Sequence, residues 1–197
     1  MGLTIYYKGR FNPKASLSEM IDEVCDISDI YKWKCHVFET KFPKGSLGKT
    51  GFNENIYGLV VSPHEKSEGV WLCFLSNGTL GNPVMLEHWL KTKNKKDKRL
   101  IYGNFTKTQY AGPDVHKVVI DLLRYLSKKY FREFHLEDEA MYWETGNEKL
   151  MRQTFEEWGA LMNSFAVSLQ AIKPKKMKSL ERVIKRAAEK VHAKRKK

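Results

Sequence analysis

At 197 residues, 42% hydrophobic and 12% aromatic, the chain carries enough large apolar side chain for one packed domain with an appendage, which excludes wholesale disorder. Its formal charge of +12 is uneven: residues 173–197 hold twelve Lys/Arg against Glu181 and Glu189, leaving residues 1–172 at only +2. No apolar run approaches the roughly 20 residues of a membrane span and no basic-then-apolar leader opens the chain, so a soluble, cytoplasmic protein with no membrane partner is expected.

LTIYYKGRF (3–11) is rich in β-branched and aromatic residues and predicts a first strand, stopped by Pro13. Ser16 and Glu19 form a capping box, each side chain placed to satisfy the other's free backbone N–H. Leu17, Met20, Ile21, Val24, Ile27 and Tyr31 then follow at helical steps, giving one packed and one acidic face. KCHVFETKF (34–42) predicts a second strand, and PKGSLGKTGFNEN (43–55), with no apolar period, an exposed mobile loop. NIYGLVVS (55–62) and GVWLCFLS (69–76) suit an antiparallel pair, followed by a turn at Asn77–Gly78. Asn82 and Pro83 open a short helix through Leu90.

KTKNKKDKR (91–99), with a local charge of +5, is expected to project as a flexible polar stretch. LIYGNFTKTQY (100–110) returns to strand character, and Pro113 starts a helix through Tyr130 with Val115, Val119, Leu122, Leu123 and Leu126 in its stripe. REFHLED (132–138) predicts a last strand inside an acidic region. Thr145 and Glu148 form a second capping box for a helix to about Ala171, broken by Pro174. The basic segment beyond has its own stripe at Met177, Leu180, Ile184, Ala187 and Val191.

The order predicts an α+β fold: a mixed or antiparallel sheet of about five to six strands packed by two or three helices, with a basic C-terminal helix. The expected organisation is a single α+β domain over 1–172 and a basic amphipathic helix or tail over 173–197. Cys25, Cys35 and Cys73 form neither a C-x-x-C pair nor a disulfide framework; Cys25 and Cys73 read as small buried hydrophobes in a reducing compartment.

GSLGKTG (45–51) ends as a P-loop does, in Gly48–Lys49–Thr50. The first glycine's place is held by Pro43, which has no N–H, and no helical pattern follows, so nucleoside triphosphate hydrolysis is not expected. The strand-to-helix junction offers a better candidate. Lys107, Gln109 and His116 could contact a phosphate or carboxylate there, although Asp114 in the same turn would oppose an anion. On a strand, His135, Glu137 and Glu139 share one face and Asp138 takes the other. With His116 from the preceding helix, Glu137 and Glu139 are the acid–base candidates of a small hydrolase-like enzyme. The same residues also suit a solvated charged face or a docking surface for a basic segment. No compact metal-ligand spacing occurs, and neither metal nor cofactor is expected.

In the tail, Lys173, Lys175, Lys176, Lys178, Arg182, Lys185, Arg186, Lys190, Lys194 and Arg195 are the candidate nucleic-acid contacts. Nine lysines to three arginines suit loose phosphate attraction rather than bidentate base reading. No zinc-finger spacing, helix-turn-helix pair or aromatic-interleaved basic strand is recognised. The expected function is an accessory or regulatory protein with nonspecific nucleic-acid affinity through its basic tail. The alternatives are the hydrolase-like enzyme and a protein–protein interaction module, including self-association through the C-terminal helix.

Overall fold

The computed structural model describes residues 2–170; residues 171–197, and with them the expected basic helix and every tail contact named above, lie outside the described residues. The chain divides into two compact units, residues 1–151 and residues 152–197. The first carries six strands: β1 (Thr4–Phe11), β2 (Lys34–Val37), β3 (Tyr57–Ser62), β4 (Val70–Phe74), β5 (Asn104–Lys107) and β6 (Phe131–Asp138). The helices are α1 (Leu17–Tyr31), α2 (Pro83–Thr92), a 3-10 helix (Asp97–Tyr102), α3 (Pro113–Tyr130), α4 (Tyr142–Thr145) and α5 (Glu148–Gln170), the last opening in the first unit and continuing into the second.

The class is α+β, as the order of elements predicts. The strands form two three-stranded antiparallel sheets, β5-β1-β6 and β2-β3-β4, instead of one sheet of five or six. The reason lies in the hairpin after β4. Its Asn77–Gly78 turn (Gly78 at φ +82°) sends the chain back past both β4 and the end of β1, but only as the single bridges Phe74–Leu80 and Arg10–Thr79, too short to continue a ladder. The sheets are instead laced by individual bonds. Phe11 N–H donates to Gly78 O (2.7 Å), Trp71 N–H to the Tyr7 hydroxyl (2.8 Å), and Thr106 Oγ1 to Gly69 O (2.9 Å).

Inward positions of the strands supply the core. Ile5, Tyr7 and Phe11 of β1, Leu59 and Val61 of β3, and Leu72 and Phe74 of β4 are buried together with Met20 and Val24 of α1 and Val119, Leu123 and Leu126 of α3. Each such side chain contributes about 1.5–3 kcal/mol by leaving water. Phe11 stands at the centre of an aromatic group, 5.2 Å from Phe74 and 5.3 Å from Phe42.

Several local expectations are corrected. β2 ends at Val37, with only one further bridge from Glu39 to Tyr57, because Gly58 opposite (φ +105°) is in a conformation that interrupts the ladder. The 43–55 segment is an exposed loop as expected, but one held to its neighbours. Gly48 N–H donates to Asn77 O (3.1 Å), Asn53 N–H to Ser76 Oγ (2.9 Å), and Phe52 packs against Trp89, 6.0 Å between ring centroids. The lysine stretch does not simply project. α2 runs to Thr92, the 3-10 helix begins at Asp97, and the Lys93 and Lys98 ammonium groups lie 4.9 and 5.4 Å from the Trp89 ring. At α5 the cap is Asn147, whose Oδ1 accepts from Leu150 N–H (3.1 Å), while Thr145 bonds back to Met141 O and ends α4.

Candidate polyanion-binding groove

β1 positions the site. It is paired on both sides, and side-chain alternation buries Ile5 and Tyr7 while turning Tyr6, Lys8 and Arg10 outward. The register sets Tyr6 between Phe105 of β5 and Glu137 of β6, Lys8 opposite His135, and Arg10 opposite Glu133. The pinned 43–55 segment and the turn beyond β4 then wall one end. Lys49, Thr50, Asn77 and Thr79 meet Lys8, Arg10, Glu133, His135 and Tyr102 around a groove of about 540 Å³. A second hollow of about 230 Å³ shares Lys8, Tyr102 and His135 with it and extends the surface to Tyr6, Asn104 and Glu137.

The electrostatics of the larger groove favour an anion. Lys8, Arg10 and Lys49 face a single carboxylate, Glu133. That carboxylate is divided: Arg132 takes its Oε1 at 2.9 Å, and Arg10 Nε is 3.9 Å from Oε2, so Arg10 is only partly neutralised. Partial burial pushes the Tyr102 phenol up, with the Arg10 charge opposing, so Tyr102 enters the groove as a neutral hydroxyl able to donate.

The residues selected from sequence fall elsewhere. His116 is fully buried at the start of α3, with Nδ1 2.6 Å from Thr108 Oγ1 and Nε2 in a close but poorly aligned contact, 2.9 Å from Asp138 Oδ1. Asp138 also accepts from the backbone N–H groups of Ala140 (2.8 Å), Tyr142 (2.7 Å) and Trp143 (3.0 Å). Burial alone would raise this carboxyl, but His116 and those amides outweigh it and hold Asp138 below the usual carboxylate range. The arrangement knots β6, α3 and α4 together.

Glu137 is exposed on the outer face beside Tyr6, and Glu139 is exposed with Oε2 accepting from Thr4 N–H at 2.8 Å. Strand alternation thus turns the exposed Glu137 away from Asp138 and from the buried His116. The Lys107 and Gln109 side chains come together beside Gly2, while the His116 side chain is fully buried. Among the described residues, no group of three or more His, Cys, Asp or Glu is placed to hold a metal ion, and no helix is long and apolar enough to cross a membrane.

Sequence reasoning missed the groove and the outward row Tyr6, Lys8 and Arg10 of β1 that borders it. The signal was present as Tyr6, Lys8 and Arg10 at period two. It was masked by the inward aromatics Tyr7 and Phe11 in the same run, and Phe105 arrives from a strand some hundred residues away. Comparison with protein-family models, curated proteins and solved structures finds no match to this chain.

Proposed function

We propose that the protein is an accessory or regulatory protein with nonspecific nucleic-acid affinity, in which the groove over β1 adds a shaped phosphate contact to the generic attraction of the basic C-terminal segment. The observation that carries this reading is the meeting of Lys8, Arg10 and Lys49 from two distant segments around one divided carboxylate. Cations gathered into a concave, partly walled surface attract polyanions more strongly than the same charges spread over a sphere. The tail contributes twelve further Lys/Arg in 25 residues. A hydrolytic role through His116 and Glu137 has less support, since His116 is fully buried and Glu137 lies exposed on the outer face of β6.

The test is a fluorescence-anisotropy titration of the full chain with a labelled oligonucleotide across a salt series. Binding should weaken steeply with salt, since each phosphate contact releases counterions. The pair Lys8→Glu and Lys49→Glu should lower affinity tenfold or more and flatten the salt dependence. Replacing Lys185, Lys190 and Lys194 by Gln should lower it independently. No binding by the unaltered chain at low salt would sink the reading. Unchanged affinity in the groove variant would remove the groove from it.

A further inference from the structure

The outer face of the β5-β1-β6 sheet carries more than charge. Tyr6 and Phe105 are directly cross-strand neighbours, 44% and 39% exposed, with ring centroids 6.3 Å apart and planes inclined at 46°. Two adjoining large rings left half in water on the flat of a sheet forgo burial that the interior could have provided. Tyr6 sits on a central strand hydrogen-bonded to β5 on one side and β6 on the other, while Phe105 sits on the edge strand β5, paired to β1. Along β1 the same face continues to Lys8 and Arg10, about 13 Å from Tyr6 to Arg10 at the rise of an extended strand. Tyr102 and Lys8 border both hollows, so Tyr6, Tyr102 and the cations line one continuous surface, with Phe105 beside Tyr6 at its edge.

We infer that this face takes single-stranded nucleic acid, unpaired bases lying on Tyr6 and Phe105 while the sugar–phosphate chain runs towards Lys8, Arg10 and Lys49. The inference rests on the nucleic-acid reading above and adds which form of nucleic acid is held. A ring on a rigid platform stacks on any base whose face is free, and in a duplex those faces are covered by neighbouring base pairs. A lone polyphosphate or acidic peptide would use the cations but leave the two rings unoccupied. Glu137, beside Tyr6, repels phosphate at that end, which orients the chain: bases over Tyr6 and Phe105, phosphates at the Lys8–Arg10–Lys49 end. Stacking tolerates every base, so the binding carries little sequence preference.

The experiment uses the full chain and three probes at one salt concentration: labelled oligothymidylate of about a dozen nucleotides, a duplex of the same length, and heparin, a polyanion without bases. Oligothymidylate should bind more tightly than the duplex. Tyr6→Ala or Phe105→Ala should weaken oligothymidylate binding roughly tenfold or more and leave heparin binding unchanged, with Tyr6→Phe restoring it because the ring alone is needed. Half-exposed positions make these variants fold-tolerant, and retained heparin binding demonstrates the fold in the same assay. Equal binding of strand and duplex overturns the inference, as does undiminished oligothymidylate binding by both alanine variants; in either case the phosphate reading stands. Failure of all three probes at low salt overturns both readings together.

Discussion

Asp138 shows how much a single side chain organises here. Its carboxylate gathers three backbone N–H groups and His116, tying the end of β6 to α3 and to the turn that opens α4. Asp138→Ala should cost about 3–5 kcal/mol, because three amides, two of them buried, lose their common acceptor and the buried His116 loses its carboxylate neighbour; thermal or denaturant unfolding measures this. Since the folded-state carboxyl lies below its unfolded value, its contribution is fully present above about pH 4 and is lost as pH falls through the lower folded value. The acid-unfolding midpoint of the wild type should therefore depend on Asp138, while the variant shows a flatter profile below about pH 4. A second residue-scale feature concerns the thiols. Cys25 and Cys35, ten residues apart and unremarked as a pair in sequence, have Sγ atoms 3.2 Å apart, with Cys73 buried away from them. Desolvation first, and Cys25 beside it, push the Cys35 thiol up to about 12. Diamide treatment should remove two of the three titratable thiols and leave Cys73, with crosslinking faster as pH is raised; persistence of all three thiols under diamide would contradict that proximity.

Among the elements, helix ends are where local sequence and structure agree best. Ser16 Oγ accepts from Glu19 N–H (3.3 Å), the half of the expected box on which α1 relies, and Asn82 Oδ1 accepts from both Val84 and Met85 N–H at 3.0 and 3.2 Å. Because α2 anchors the satellite core of Leu75, Leu86 and Ile101, Asn82→Ala should destabilise by about 1 kcal/mol, read as a lowered melting temperature. Caps are legible because the donor and acceptor lie within three residues. The same locality misled at α5, where Thr145–Glu148 matched the pattern but Asn147 is the cap, since Thr145 already bonds to Met141 O. Strand lengths were less legible: β2 is four residues, not nine, because its extent depends on Gly58 in the strand it pairs with.

For the whole molecule, the proposed binding rests on charge distribution for what is attracted and on the sheet's outer face for where. Glu137, the carboxylate that lines the hollow with Tyr6, would work against a polyanion there. Glu137→Gln should tighten oligonucleotide binding a few-fold at low salt, the gain fading as salt screens it, with stability unchanged because the side chain is exposed; weaker binding would mean Glu137 is itself a contact.

Legible in the sequence were the order of the six strands with α1, α2, α3 and α5, the α3 and β6 boundaries to within a residue, the concentration of charge in residues 173–197, and the opposite facing of Asp138 and Glu137, whereas the 3-10 helix over Asp97–Tyr102, read as strand from Leu100, and α4 were not. Each legible feature follows from periodicity, composition or contacts between near neighbours, which the chain carries locally. Tertiary structure alone decided the split into two sheets, the burial of His116 against Asp138, the approach of Cys25 to Cys35, and the gathering of Tyr6, Phe105, Lys8, Arg10 and Lys49 on one surface. Those features join residues as distant in the chain as Ile5 and Asp138, and only the register of antiparallel strands, with the packing of helices on their inner face, fixes which distant side chains share a face.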